Sequence, residues 1–366
     1  MKDEPRVHDA SAVPPLFGVE VRADPAFELL VGLSTLTTER EASRPSWVPA
    51  ELSSCSVALR RAIGGVGLEA GEVWLHLLGL ALDAPRGTAA QFVEMVRRTA
   101  PQELRLHLVG LYVSSWRTVA GSETLERAAR GERGAVQDLL ENERYYAGKA
   151  RQSLELLLPP GAAETKRRLV AALSRFATEV FEPVEADVTA ILEADAETKR
   201  SLAPRVGPDA LIASAARGFV YEREPETSRV ILAPHLAARP WLLLCQHRDS
   251  RIICYPADEP LEAERDVQER ALLFGRALAD EGRIQILRRL AAGEASLTEL
   301  TELTALAKST AHHHLTQLRA GGLVEVRGNA RSYRYALREE AAAEAAALLA
   351  ELLLAPAPSG SVSRGS

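Results

Sequence analysis

Cysteine is scarce: the chain of 366 residues holds 3, at Cys55, Cys245 and Cys254. None falls in a CxxC spacing, which excludes a disulfide framework, argues against structural zinc and fits a reducing compartment. Surplus charge is small as well. A net charge of -6 speaks against a protein that coats nucleic acid non-specifically, so any nucleic-acid binding has to come from a local basic face. No apolar run approaches the roughly 18 residues that span a bilayer, and the polar, proline-punctuated start lacks the order of a secretion signal. The expectation is a cytoplasmic protein with no membrane segment. Aromatics make up only 5%, so a core of the size this length allows must be aliphatic. Catalytic signatures are missing too: there is no GxSxG elbow and no GxxxxGK[ST] loop, and Gly64-Gly65-Val66-Gly67 is not followed by Lys. His76 and His107 stand alone on apolar helical stretches and read as structural histidines. Neither an enzyme nor a bound cofactor or metal is expected.

What the chain does have is amphipathic helix pattern. Asp24-Pro25 supplies an N-cap and a proline at the first helical position, followed by the stripe Phe27, Leu30, Val31, Leu33. Similar stretches lie at 54–63, 72–81, 88–99, 102–119, 135–158 and 164–192, with a short strand expected at 16–21. No fixed-period repeat is visible, which sets aside a solenoid. Near Gly218 the texture changes to short β-rich runs at 219–223, 229–232, 241–246 and 251–255, which predict a small antiparallel sheet. The fold class is therefore mainly α, α+β. Residues 1–15 read as a disordered tail, 16–258 as a helical sensor or interaction domain with a small sheet and 259–266 as an acidic connector; 267–354 form the C-terminal domain, and 355–366 a second disordered tail.

The C-terminal stretch carries the strongest pattern. Ile284, Ile286, Leu287 and Leu290 mark one helix, ended by Gly293. A short helix at 297–303 and a longer one at 308–320 follow with few residues between them, which is helix-turn-helix spacing. Alternating runs at 323–326 and 333–337 flank Gly328-Asn329 as a hairpin, completing a winged helix. Between 305 and 338 the basic residues are Lys308, Arg319, Arg327, Arg331, Arg334 and Arg338, against the lone acid Glu325. On the helix at 308–320, Ala311, Leu315 and Leu318 make the apolar side and His314 falls beside them as a packed histidine. His312 and His313 share the polar side with Lys308, Ser309, Thr316 and Gln317, the side expected to enter a major groove.

At these residues the chain resembles the ArsR/SmtB-type regulators, dimeric winged-helix repressors that commonly lose DNA affinity on binding an inducer. The resemblance covers about the last quarter, carried by Leu278-Ala279-Asp280, Arg283, Ile286-Leu287, Glu299-Leu300, Ser309-Thr310, His313-His314-Leu315, Leu318 and Gly322-Leu323-Val324. It implies that Lys308, Ser309, Thr310, His312 and His313 contact DNA, and that Arg327, Asn329, Arg331 and Arg334 form the wing. It departs from the family at Ala305, where a glycine is common, and at Ala307 in place of a capping serine, so that Thr304 or Ser309 would cap instead. The family's metal ligands have no counterpart: 297–303 has no Cys and 339–354 no His. Flanking helices at 267–279 and 340–354 carry apolar stripes, Leu272, Leu273 and Ala277 with Leu348, Leu349, Leu352 and Leu353, which call for a partner. A second subunit would place two recognition helices roughly 34 to 36 Å apart on a pseudo-palindromic double-stranded operator; packing on the chain's own N-terminal domain is the alternative.

The input is less legible. Trp74, Tyr112, Trp116, Tyr145, Tyr146 and Trp241 are candidate lining residues of an effector pocket, the alternative being plain core. If the hairpin of 241–255 turns at Asp249-Ser250, Cys245 faces Cys254 within bridging range and the pair would act as a thiol switch, with Arg248 and Arg251 lowering a thiol pKa; the alternative is two small side chains filling a buried face. The resulting expectation is a DNA-binding repressor whose N-terminal domain senses a non-metal ligand or partner, against a ligand-independent architectural protein or a redox regulator.

Overall fold

A computed structural model describes residues 17–38, 47–68, 70–148, 151–216, 218–239, 241–257, 267–328 and 332–354. Both expected tails and the 259–266 connector lie outside the described residues. The helices of the N-terminal part are α1 (Pro25–Leu36), α2 (Val57–Gly64), α3 (Gly71–His76), α4 (Leu78–Asp83), α5 (Ala89–Arg98), α6 (Pro101–Leu108), α7 (Ser114–Ala120), α8 (Ser122–Ala129), α9 (Arg133–Glu141), α10 (Arg151–Leu157), α11 (Ala162–Phe176), α12 (Glu185–Leu202) and α13 (Pro208–Ala215). Strands β1 (Gly18–Val21), β2 (Phe219–Tyr221), β3 (Arg229–His235), β4 (Leu243–His247) and β5 (Ser250–Pro256) accompany them. The C-terminal part follows as α14 (Val267–Leu278), α15 (Glu281–Ala291), α16 (Leu297–Thr304), α17 (Lys308–Ala320), β6 (Val324–Gly328), β7 (Tyr333–Leu337) and α18 (Ala341–Leu354). The architecture is mostly helical with small sheets, an α+β chain ending in a winged helix-turn-helix.

Local chemistry starts these helices where the sequence pattern put them. Asp24 caps α1 by accepting from the Ala26 N–H at 3.0 Å, and Pro25 opens the first turn. Every residue of α1 after Pro25 is buried, so this helix is the axis of the core. Thr88 and Gln91 form a reciprocal capping box that starts α5. The expected helices at 72–81, 102–119, 135–158 and 164–192 are broken. Gly110, at φ 69°, divides 102–119 into α6 and α7, because a left-handed backbone is open to glycine and ends the helical ladder. The 164–192 stretch is interrupted by a π-helical turn at Ala177–Phe181, which lets Phe181 turn inward against Trp47.

The central sheet differs from the antiparallel expectation. Its order is β1-β3-β5-β4; β3 runs parallel to both β1 and β5, and only β4 and β5 are antiparallel. The physical reason is visible in burial: all of β3 after Arg229 and all of β5 before Pro256 are buried, as strands covered on both faces by helices must be. The β4–β5 register also corrects the cysteine reading. Cys245 faces Ile252 and Cys254 faces Leu243, with the turn at Arg248-Asp249 and Arg248 at φ 54°. The two cysteines are thus diagonal neighbours, typically about 7 to 8 Å apart, beyond what a disulfide bridges without backbone movement. Burial pushes the Cys254 thiol well above its usual range, and Arg251 is committed to Glu224 at 2.5 Å. The thiol-switch pair is not formed.

The expected first strand of that sheet, β2, is not part of it. It pairs in parallel with β6 of the wing, Phe219 opposite Val326 and Tyr221 opposite Gly328, so the second sheet reads β2-β6-β7. The Val326 N–H donates to Gly218 O, and Glu222 N–H to Gly328 O at 2.8 Å. The N-terminal and C-terminal parts are therefore joined by main-chain hydrogen bonds.

Candidate nucleic-acid interface

The first two helices of the reading unit are each started by a side-chain cap. Asp280 accepts from the Arg283 N–H at 3.0 Å to start α15. Ser296 and Glu299 form a capping box for α16, the Ser296 N–H donating to Glu299 at 2.6 Å. The turn into α17 passes through Ala305 at φ 54°, the position where a glycine would be unstrained. Ala307 is the N-cap of α17 and makes no side-chain cap; Thr304 donates instead to Leu300 O within its own helix. Gly322, at φ 72°, ends the recognition helix and leads into the β6–β7 hairpin.

Three stripes divide α17. Ala311, Leu315 and Leu318 are buried together with His314, which lies 3.6 Å from Asp280 and whose pKa is lowered by burial. Lys308, Thr310 and His313 are exposed and Gln317 is half-buried beside them. The third stripe, His312, Thr316 and Arg319 at i, i+4 and i+7, is half-buried. It lines a cavity of about 350 Å³ whose opposite wall is Trp241 and Leu244 of the N-terminal part. The Trp241 ring centroid lies 4.8 Å from that of His312. The residues assigned to one DNA-facing side are thus split, because an N-terminal domain stands against one flank of the helix.

The basic face is similarly reduced. Arg327 is paired with Glu294 at 3.1 Å and Glu325 at 2.6 Å, Arg334 with Glu299 at 3.1 Å, and Arg338 with Glu344 at 2.9 Å. These acids, apart from Glu325, lie outside the 305–338 window, so a local count did not reveal them. Asn329 and Arg331 lie outside the described residues, as does the side chain of Ser309.

The candidate effector aromatics scatter. Trp74 is fully buried. Trp116 stacks on Tyr146 at 4.8 Å, Tyr145 meets Tyr146 edge-on at 4.7 Å, and their hydroxyls donate to Val109 O and Leu108 O. Tyr112 donates to Glu103 at 2.7 Å and packs on His107 and His247. Trp74, Tyr145 and Tyr146 are thus in the core, while Trp116 and Tyr112 are half-buried. Of the six, Trp241 lines the interdomain cavity. His107 is buried and His76 half-buried: the Trp116 indole N–H donates to His76 Nε2 at 3.3 Å, and burial lowers both pKa values, that of His107 to about 3. Their rings pack on Tyr146 and Tyr112.

Outside the reading unit, α14 and α18 pack on each other. Leu348 is buried between them, while Leu272 is 51%, Leu349 44% and Leu353 78% exposed. Among the described residues no helix is long and apolar enough to cross a membrane.

A protein-family profile described as a helix-turn-helix domain matches residues 278–327. An uncharacterized HTH-type transcriptional regulator, YceK, of Bacillus subtilis (strain 168) is 38% identical over 79 residues, which are 21% of this chain and 78% of that protein. HlyU from Vibrio cholerae N16961 aligns at 35% identity over 24% of this chain and 96% of its own, with a TM-score of 0.20. NolR from Sinorhizobium fredii aligns at 28% identity over 26% of this chain and 93% of its own, also with a TM-score of 0.20.

Proposed function

The chain belongs to the helix-turn-helix-type transcriptional regulators, and from that premise we propose that it is a cytoplasmic, homodimeric repressor of ArsR-like type. In this reading it binds a pseudo-palindromic operator through α17 and responds to a non-metal signal received by residues 16–258. The observation that carries the reading is the stripe of exposed Thr310 and His313 beside Gln317, with Lys308 exposed at the helix N-terminus, on a helix whose opposite side is packed. Such a stripe supplies base-edge contacts, while the wing and helix N-terminus supply phosphate contacts. On the sequence resemblance, Ser309, Asn329 and Arg331 are DNA contacts as well, and Arg327 and Arg334 reach phosphate by exchanging an acidic partner for it.

Homodimerisation is supported by the exposed leucines of α14 and α18, an apolar seam that a second copy would cover. Signal reception by the N-terminal part is supported by its main-chain pairing with the wing, since a shift of that part is mechanically a shift of the reader. The test is a gel-shift titration of the full chain on a selected operator and on a scrambled duplex. His313→Ala is expected to lose about 1 to 3 kcal/mol of preference between the two. Equal preference in parent and variant would remove α17 from the role of reader.

A further inference from the structure

We propose that the cavity between the recognition helix and the N-terminal domain is an effector site for a flat aromatic carboxylate, and that its occupant and DNA exclude one another. The proposal rests on the regulator reading above and adds to it the site, the ligand class and the sign of the response.

The cavity of about 350 Å³ is walled by Trp241, Leu244 and Phe219 from one side and by Leu315, Val326 and Tyr335 from the other. Aliphatic and aromatic walls of this kind take a flat apolar body. Its polar groups narrow the choice further. The Trp241 indole nitrogen is buried and has no hydrogen-bond partner among the described residues, whereas a buried indole N–H ordinarily finds an acceptor. Arg319 brings a guanidinium to the same cavity, and its planar fork matches a carboxylate in two parallel hydrogen bonds. Burial lowers the Arg319 pKa from its ordinary value, a cost to the charged guanidinium that an anion beside it offsets. Glu72 also reaches the wall, and its charge steers the ligand carboxylate to the Arg319 end.

Exclusion follows from the geometry of α17. A major groove about 12 Å wide takes a whole helix, so its walls flank the helix on both sides. Here the flank bearing His312, Thr316 and Arg319 is occupied by Trp241 and its neighbours, where a phosphate backbone would run. Seating α17 in a groove therefore requires the N-terminal domain to withdraw. Withdrawal gives up the three facing pairs of β2 with β6 and the Trp241–His312 contact, and it disperses the cavity's two walls. A ligand touching both walls favours the docked state and DNA the undocked one, and the linkage is reciprocal.

The probe is 2-naphthoate, titrated into the full-length protein by calorimetry and tryptophan fluorescence, with 2-naphthamide as its uncharged counterpart. One 2-naphthoate per chain is expected, with the amide binding about tenfold more weakly or worse. Arg319→Gln should lose about tenfold or more in affinity for the acid, and Glu72→Gln should gain affinity. Trp241→Phe keeps the apolar wall, removes the N–H and should also weaken the acid, which holds the test open if Arg319→Gln misfolds. In anisotropy titrations, saturating 2-naphthoate should weaken operator binding about tenfold or more, and operator should weaken 2-naphthoate by the same factor. No binding, equal binding of acid and amide, or undiminished operator affinity with the probe bound would each overturn the proposal. If the parent binds its operator selectively in those cases, the effector site falls and the regulator reading stands. If the parent shows no selective binding at all, the regulator reading itself falls.

Discussion

The N-terminal body buries several ionisable groups, whereas the winged helix pairs several of its arginines at the surface. In the body, alongside surface ion pairs, Arg105, Glu28 and Arg22 are buried and tied to main chain. Arg105 donates to Ala129 O, Leu157 O, Leu158 O and Pro160 O and to the Thr165 hydroxyl. Glu28 accepts from the Leu236 and Ala237 N–H groups, and Arg22 pairs with Asp24 at 2.7 Å while donating to Leu82 O and Ala81 O. In the winged helix, arginines pair at the surface with Glu294, Glu299 and Glu344, where screening leaves each pair worth little. Its helices are half-covered and take further cover from the N-terminal domain and the α14–α18 seam. The contrast teaches that a frame fixed by satisfied buried charges can hold a reader whose contacts are shallow enough to exchange.

The largest effect that would sharpen this contrast is expected from Arg105→Met. It orphans several buried carbonyls at once, and should lower unfolding free energy by about 3 to 5 kcal/mol in urea titrations. A loss no larger than that of a surface arginine would erase the distinction between the two parts. On the reader's side, Leu349→Asp should raise the dimer dissociation constant on the order of a hundredfold, by placing a charge in an apolar seam. Sedimentation equilibrium decides this, and a parent that is monomeric at micromolar concentration would end the seam's role.

Glu28 gives the contrast a pH signature. Burial raises its carboxyl from 4.5 to about 8, so between those values the folded chain holds a proton that the unfolded chain has lost. The contribution is complete below the unfolded pKa and is lost as pH rises through the folded one, with a slope approaching about 1.4 kcal/mol per pH unit. Glu28→Gln should flatten the stability profile across this window. An unchanged slope would mean that the Leu236 and Ala237 N–H groups already stabilise the carboxylate fully. The smallest effect belongs to the reader's own turn. Ala305→Gly relieves a left-handed alanine and should stabilise by about 0.5 to 1 kcal/mol, read as a shift of the denaturation midpoint.

The winged helix was legible because its signals are local. Capping pairs such as Ser296 with Glu299, the Gly321-Gly322 stop and the alternation through 333–337 act within a few residues, and α16, α17, β6 and β7 lie close to where they were read. The aromatic candidates were not separable in the same way. Trp116, Tyr145, Tyr146 and Trp241 are alike as residue types, and what distinguishes the last is that it faces a different part of the chain. Likewise the cysteine register hinged on a turn shifted by one residue, Arg248-Asp249 in place of Asp249-Ser250, which moved each cysteine two positions from its expected partner.

By itself, then, the sequence determined the helical body, the helix-turn-helix and its hairpin, and the packed and polar sides of the recognition helix, because periodicity and capping are short-range effects. Tertiary structure alone decided that β3 lies parallel between β1 and β5 and that β2 leaves this sheet for the wing. It also decided that His312, Thr316 and Arg319 turn toward Trp241 while His313 stays exposed. Those outcomes depend on contacts between residues from about twenty to about two hundred positions apart, whose free energy is set by how surfaces fit once both have formed, and that no local pattern encodes.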